Sequence, residues 1–218
     1  MARTQFEAEL VGLYARHRPV IERRLAEFRR VGEEATEEGL FRELVFCLFT
    51  PQSKARSCWA AVECLCDKRL LLEGGPGEIA RELCGGVRFH HNKSRYVVEA
   101  RELFTVDAAL SVRGGLDAFE DGREARDWLA RTVKGLGLKE ASHFLRNIGR
   151  GDGLAILDRH ILRNLARCGV IEKEPRSLTA RQYRDTEQAM IAFAEGMGMP
   201  VTHLDLLLWC RETGEVFK

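Results

Sequence analysis

Apolar residues recur at spacings of three and four along nearly the whole chain, and strictly alternating runs of apolar and polar residues are scarce. Such spacing places apolar side chains along one face of an α-helix. The pattern therefore predicts an all-α protein, and proline chemistry predicts a kink or break at Pro19 in the first helix. The predicted helices lie near 4–29, 37–49, 54–67, 92–103, 123–132, 139–147, 159–168, 179–194 and 201–212.

Glycine and proline residues separate these helices by short breaks, and no long linker or internal repeat interrupts the pattern. Two intimately packed helical lobes fit this organisation better than separate domains joined by linkers. We predict a multi-helix lobe at 36–158 and a second lobe formed by 1–35 together with 159–218. The breaks fall at Pro51, Gly74-Gly75-Pro76, Gly85-Gly86, Gly114-Gly115, Gly149 to Gly153 and Pro175.

The composition indicates a globular protein of the cell interior. The chain has 218 residues, 45% of them hydrophobic, which is the share of an ordinary folded core. No apolar run reaches the roughly 18 to 20 residues that span a bilayer, and the amino end MARTQFEAEL lacks the apolar stretch of a secretory signal. We therefore expect a cytoplasmic protein with no membrane contact.

The charge balance does not by itself indicate a nucleic-acid-binding protein. Lys and Arg number 34 against 33 Asp and Glu, for a formal net charge of +1. Groups such as Arg23, Arg24, Arg29 and Arg30 are typical of a solvated helix face. Any contact with DNA must therefore come from the local placement of a few groups.

The seven cysteines predict reduced thiols and no metal site. Their number is odd, and they are scattered through a chain that is not a small secreted scaffold. Cys64 and Cys66 are only two residues apart, and the late part of the chain holds just Cys168 and Cys210. These spacings do not match a zinc site or a four-cysteine iron-sulfur cluster.

The most informative stretch is WLARTVKGLGLKEASHFLRNIG, Trp128 to Gly149, in which one amphipathic helix ends at Gly135-Leu136-Gly137 and another begins at once. This is a helix-hairpin-helix pattern. Two glycines let the backbone turn tightly with its amides exposed, so that Leu136 can pack between the helices while the amides meet a phosphate. A plain corner between two helices would produce the same local pattern.

Lys139 follows Gly137 by two residues, within the first turn of the second hairpin helix. The positive end of the helix dipole disfavours a protonated amine there. If apolar neighbours also desolvate the side chain, a free amine results that can attack a carbon and form an imine. The alternative is a solvated lysine that contacts phosphate.

Asp158 ends the apolar run LAIL, and a basic amphipathic helix begins at Arg159. This position suits a helix N-cap, and capping alone would explain the aspartate. Its position nineteen residues beyond Lys139 indicates a second possibility, a carboxylate that acts together with the lysine.

The combination of GLGLK with a later apolar run ending in DRH resembles the helix-hairpin-helix DNA glycosylase superfamily. The small size, the segment FTPQSKA and the interval from Trp209 to the terminal Lys218 resemble its archaeal-type 8-oxoguanine DNA glycosylase/AP lyase family. The resemblance implies a base-excision repair enzyme of two helical lobes, with the lesion pocket in the cleft between them. By residue match, Lys139 would form a Schiff base with the sugar and Asp158 would be the catalytic carboxylate.

The same resemblance implies roles for residues that contact DNA. Gly135 and Gly137 would bind the backbone, while Gln52 and Phe89 would fill the gap left by an extruded base, although Phe89 could equally be a core residue. Duplex DNA containing 8-oxoguanine would be the partner of a monomeric enzyme. No cofactor or catalytic metal is implied, although the hairpin carbonyls could hold a structural monovalent cation.

The carboxy-terminal stretch GMGMPVTHLDLLLWCRETGEVFK offers Met197, Trp209 and Lys218 for base recognition. Thioether and aromatic groups can sandwich a flat base. The alternatives are core packing for Met197 and an unordered chain end for Lys218. Two other functions stay open: a glycosylase of similar fold for a different oxidised base, and a non-catalytic helix-hairpin-helix module that only binds DNA.

Overall fold

The computed structural model describes residues 2–218 and confirms the all-α prediction. Within these residues, no helix is both long and apolar enough to cross a membrane. One antiparallel hairpin, β1 (Thr105–Val106) with β2 (Ala109–Leu110), accompanies the helices. The helices are α1 (Ala2–Glu34), α2 (Glu37–Phe49), α3 (Ala55–Asp67), α4 (Leu70–Glu73), α5 (Pro76–Leu83), α6 (His90–Leu103), α7 (Val112–Leu116), α8 (Gly122–Thr132), α9 (Leu138–Asn147), α10 (Arg159–Arg167), α11 (Ala180–Gly196) and α12 (Val201–Thr213).

The first helix is continuous through Pro19, so of the two predicted alternatives, a kink or a break, the break is wrong. Proline removes the hydrogen bond to the carbonyl four residues earlier, which here belongs to Ala15. Both residues lie on the exposed side of α1, where water can bond to that carbonyl. Buried side chains on either side of the proline, such as Leu10, Ile21 and Phe28, keep the two halves in one helix.

Two further differences from the prediction involve turn residues. Pro76 begins α5 rather than separating two helices, because the first helical position needs no backbone N–H. Glu78 caps this helix by accepting a hydrogen bond from Gly75 N at 2.9 Å. The short hairpin escaped prediction because its turn uses Asp107 and Ala108 in left-handed conformations, φ 49° and 64°, where an Asn-Gly pair is usual.

The core consists of two apolar clusters. The first gathers buried side chains from α2 onward, including Phe41, Phe46 and Phe144, and extends to Leu154. The second combines α1 with residues from Ala155 to the end of α12. The chain therefore passes from one cluster to the other between Leu154 and Ala155, inside the apolar run that precedes Asp158.

Two buried ion pairs join helices that contribute to different clusters. Arg126 of α8 lies 2.7 Å from Glu187 of α11, and Arg146 of α9 lies 2.6 Å from Asp205 of α12. Removing one partner of such a pair leaves an uncompensated buried charge and typically costs about 3–5 kcal/mol. The two pairs thus fix α8 and α9 against α11 and α12. The sequence did not predict them.

Candidate active site

The hairpin turn requires glycine at Gly135. This residue has φ +92°, and a Cβ placed on it would lie 2.4 Å from Cδ2 of Tyr96. Leu136 is buried in the first cluster, as the pattern predicted. A side chain at position 135 would therefore strain the backbone and collide with an aromatic ring of α6.

Gly137 has a different role, since its φ of −96° suits any residue. It is the N-cap of α9, and its N–H donates to Glu140 Oε2 at 3.3 Å. A Cβ here would meet only that flexible carboxylate, at 3.2 Å. The tight turn thus needs glycine at one position, not at both as the sequence suggested.

Lys139 lies in the first turn of α9, with its side chain 23% exposed. Its Nζ is 3.1 Å from Glu140 Oε1, so Glu140 connects the lysine to the hairpin amide that it also caps. Burial raises the pKa of the Cys47 thiol, and it raises the pKa of Cys58 to about 11. The positive charge of Lys139 opposes both shifts. The amine therefore lies at the edge of a desolvated region.

Asp158 is the N-cap of α10, as predicted, and its Oδ1 accepts a hydrogen bond from Ile161 N at 2.9 Å. Burial raises the pKa of Asp205 to about 6, Arg146 opposes this shift, and the charge of Asp158 adds to it. The two carboxylates are therefore neighbours. Asp205 is a candidate site residue that the sequence did not indicate.

Lys139 and Asp158 each lie next to residues that pack in or against the second cluster. Leu138, directly before the lysine, packs against the second cluster. That cluster contains Leu157 and Ile161, which flank Asp158. Each of these two helix starts therefore lies beside the second cluster.

The carboxy-terminal tail folds back onto the first cluster. Lys218 Nζ pairs with Glu43 Oε1 and lies 3.3 Å from the ring centroid of Trp59. Asn147 Nδ2 donates to the other oxygen of Glu43 at 3.1 Å. Burial lowers the pKa of Lys218, and Glu43 opposes that shift. Lys218 is thus held in place rather than left as a loose chain end.

His143 lies one turn beyond Lys139 on α9 and is 7% exposed. Burial lowers the pKa of its imidazole well below the usual value, and the charges of Arg146 and Lys139 lower it further, so the ring is neutral. The ring meets Phe46 edge to face at 5.5 Å. The main chain of Lys218 approaches it, but neither ring nitrogen forms a well-aligned hydrogen bond with a described residue.

The other residues predicted for base recognition lie on or beside helices of the second lobe. Trp209 of α12 meets His160 of α10 edge to face, with ring centroids 5.4 Å apart. Met197 caps the end of α11 and is partly buried against that cluster. The contacts of Lys218 are instead with side chains of α2 and α3, which makes Trp59 a candidate that the sequence did not indicate.

Gln52 and Phe89 occupy neighbouring turns on the first lobe. Both adopt left-handed conformations, with φ 56° and 58°. Arg88 N donates to Ser53 Oγ at 3.0 Å, which joins the two turns. Phe89 is 51% exposed, so the alternative that it packs in the core is wrong.

An all-α fold in which a hairpin positions a lysine and a later helix is capped by an aspartate defines a helix-hairpin-helix DNA glycosylase. Residues 21–199 match the family model described as 8-oxoguanine DNA glycosylase. The chain belongs to this family, which confirms the resemblance found in the sequence.

Individual relatives agree with this assignment. The 8-oxoguanine DNA glycosylase/AP lyase of Fusobacterium nucleatum is 38% identical over 218 residues, covering 100% of both chains. The crystal structure of the 8-oxoguanine DNA glycosylase of Thermotoga maritima matches with TM-score 0.88 and 35% identity, over 99% of this chain and 100% of that one. The Methanocaldococcus jannaschii 8-oxoguanine glycosylase/lyase, in complex with a 15mer DNA containing 8-oxoguanine, matches with TM-score 0.85 and 31% identity, over 96% and 100%.

Proposed function

We propose that this protein removes 8-oxoguanine from duplex DNA and then cleaves the strand 3′ to the lesion, with Lys139 as nucleophile and Asp158 as its electrostatic partner. The observation that carries the proposal is the position of Lys139. It lies at the amino end of the second hairpin helix and is largely buried, and Leu138 before it packs against the cluster that contains both neighbours of the Asp158 cap, Leu157 and Ile161. A clamp that only bound phosphate would need neither group there.

The base must first leave the helix, because the sugar carbon that Lys139 would attack is inaccessible in a stacked duplex. Extrusion costs a few kcal/mol of unstacking. Gln52 and Phe89 are exposed on neighbouring turns and would fill the space that the base leaves. The hairpin amides would meanwhile hold a backbone phosphate.

The chemistry then requires an unprotonated Lys139. Glu140 Oε1, 3.1 Å from Nζ, is a candidate to accept the ammonium proton. As Nζ bonds to C1′, the bond from C1′ to the base breaks and its electron pair leaves with the base, which takes up a proton. Asp158 would stabilise the positive charge that develops on the sugar.

Strand cleavage follows from the same covalent adduct. Opening of the sugar ring converts the adduct to an imine between C1′ and Nζ, and the imine acidifies the protons on C2′. Loss of one such proton forms a double bond between C2′ and C3′ and expels the 3′ phosphate. Hydrolysis of the imine then releases Lys139.

Recognition of the lesion would use the terminal carboxylate of Lys218. Oxidation at C8 turns N7 of guanine from an acceptor into an N–H donor, so a fixed acceptor near N7 pairs with the lesion and repels normal guanine. Glu43 and Trp59 hold the Lys218 ammonium and thereby limit where this carboxylate can lie. A site built for a polar edge rejects the unmatched base strongly, since its own polar group stays unpaired. Trp209 and Met197 are proposed to contact the base from the second lobe.

Borohydride trapping on duplex DNA containing 8-oxoguanine tests the assignment, because reduction makes an imine permanent. We expect wild-type protein to form the crosslink, and Lys139→Gln to lose both trapping and base release while it keeps DNA affinity. Lys134→Gln is the matched control, since Lys134 is an exposed lysine of the same hairpin loop, paired with Glu99. Trapping that survives in Lys139→Gln would refute the role of Lys139.

A further inference from the structure

Lys93 of α6 is a buried cation whose side-chain hydrogen bonds all go to the end of α2 and the turn that follows it. Its side chain is only 4% exposed. Nζ donates to Phe49 O at 2.7 Å, Pro51 O at 2.8 Å and Ser53 Oγ at 3.3 Å. Three acceptors match the three protons of an ammonium group. Burial lowers the pKa of Lys93 to about 8, so holding a charge in this place costs free energy.

The same lysine is also bonded to the neighbouring turn through its main chain. Lys93 N donates to Phe89 O at 3.0 Å. Ser53, an acceptor for Lys93 Nζ, also accepts from Arg88 N at 3.0 Å. The bond from Lys93 N is the ordinary first-turn bond of α6, so the side chain provides the link: Nζ holds Ser53 of the Gln52 turn, and Ser53 holds Arg88 of the Phe89 turn.

Both turns carry a strained residue at the surface. Gln52 and Phe89 have φ 56° and 58°, and a left-handed conformation is unfavourable for a residue with a side chain. Both are exposed, and the half-exposed ring of Phe89 adds little to the core. The strained backbone at these two positions is not offset by burial of their side chains, and a buried cation supports it. This indicates that the shape of the surface formed by Gln52 and Phe89 matters for function.

The buried ammonium that supports the Gln52 turn lies within electrostatic range of the proposed nucleophile. The charges of Lys139 and Glu140 both act on the ammonium of Lys93. Two turns that are already rigid can enter a base stack without losing further backbone conformational entropy on binding.

We propose that Lys93 is a positioning residue for duplex opening: it holds the Gln52 and Phe89 turns together as one preformed surface that enters the base stack. The proposal rests on the proposed function, since an enzyme that did not act on a base within a duplex would not need such a surface. Lys93 itself touches neither base nor sugar and acts through the two turns.

Lys93→Met tests this proposal, because it keeps an unbranched side chain and removes all three donors. Arg101→Met is the matched control. Arg101 also belongs to α6 and also donates to main-chain carbonyls, Leu71 O at 3.2 Å and Gly74 O at 3.0 Å, but these lie at the end of α4. Both variants thus remove a cation that satisfies backbone carbonyls in the same lobe.

Three measurements separate opening from chemistry. These are the single-turnover excision rate from an 8-oxoguanine duplex, the fluorescence of 2-aminopurine next to the lesion, and incision of a preformed abasic site in single-stranded DNA. The last needs Lys139 but no duplex opening. Wild-type protein that failed to cut or trap this substrate would refute the proposed function, independently of any result on Lys93.

We expect Lys93→Met to lower duplex excision and the opening signal about tenfold or more, while single-strand incision stays within about twofold. Arg101→Met should leave the ratio of duplex to single-strand rates unchanged. Equal losses on both substrates, no loss in Lys93→Met, or the same change of ratio in Arg101→Met would overturn the proposal. If Lys93→Met does not fold, Ser53→Ala removes one acceptor and the link to Arg88, and an unchanged ratio in that variant would overturn it as well.

Discussion

The Lys139 and Asp158 region differs from the Lys218 region in how the chain specifies it. Lys139 and Asp158 each lie at the start of a helix, so each is determined by the residues next to it. Lys218 is positioned by Glu43 and Trp59, which lie far away in sequence. The first region is therefore visible in the sequence as caps and turns, whereas the second exists only after folding brings the partners together.

The two regions also differ in what stabilises them. The cap at Asp158 contributes typically about 1 kcal/mol to its own helix, whatever the rest of the protein does. The Glu43 and Lys218 pair must offset the cost of taking two charges out of water, and Asn147 and the ring of Trp59 help by contacting one partner each. Losing either charge should weaken the attachment of the tail, while the hairpin region stays intact.

Among the variants that test one region without the other, Asp158→Asn should have the largest effect on the rate of base release. Asparagine caps helices about as well as aspartate, so the fold should persist. Loss of the negative charge near the developing cation should slow base release by about 10² to 10³. Single-turnover excision and thermal unfolding measure the two quantities in the same samples.

Thr179→Asn provides the matched control, since Thr179 caps α11 through a hydrogen bond from Gln182 N at 3.3 Å. This variant should retain full excision. An Asp158→Asn protein that is folded and fully active would show that Asp158 only caps its helix.

Removal of Lys218 should have the next largest effect, and it acts on the other region. We expect 8-oxoguanine excision to fall about tenfold or more, because the fixed acceptor for the N7 proton is displaced. Cleavage at a preformed abasic site should stay within about twofold, since that reaction needs Lys139 and no base recognition. A carboxy-terminal tag should act in the same way.

Lys218→Gln separates the two charges of this residue. It keeps the terminal carboxylate and loses the ammonium that Glu43 holds, so its loss of excision should be smaller than that of the deletion. Equal excision by wild-type, tagged and truncated proteins would refute recognition by the tail and leave base selection to Met197 and Trp209.

The elements that sequence analysis predicted well are those with local signals. α2 was predicted with its observed bounds, and α9 within one residue, because local residues mark their ends: Thr36 caps α2, and Gly137 immediately precedes α9. The break at Pro19 was wrong because long-range burial of the surrounding helix outweighs one missing hydrogen bond. Propensity describes a residue in isolation, whereas packing depends on partners that the sequence does not identify.

The same limit applies to the candidate site. The sequence neighbours of Lys93 indicate only an ordinary lysine in a polar helix. Its burial results from the end of α2 and the following turn, whose carbonyl groups accept hydrogen bonds from its ammonium. Arg146 and Asp205 likewise gain their significance from each other. Periodicity and turn chemistry contain no signal for such pairs, whereas GLGLK and LDRH shape their own backbone and can be recognised directly.

The smallest expected effect comes from the hairpin glycines, and it tests whether the hairpin binds DNA apart from the chemistry of Lys139. Gly135→Ala must place a Cβ at φ +92° and 2.4 Å from the Tyr96 ring, so it should lower the melting temperature and weaken duplex binding together.

In Gly137→Ala the added Cβ meets only the flexible carboxylate of Glu140, at 3.2 Å, and the backbone at this position is unstrained. The fold should therefore survive at position 137, and any loss of affinity there reports on a phosphate that approaches the hairpin amides. We expect affinity for lesion-containing and undamaged duplexes to fall alike, by about three- to tenfold, since phosphate contacts are independent of base identity. Fluorescence anisotropy at two salt concentrations measures this loss, and an unchanged affinity in a folded Gly137→Ala protein would show that no phosphate comes close to this residue.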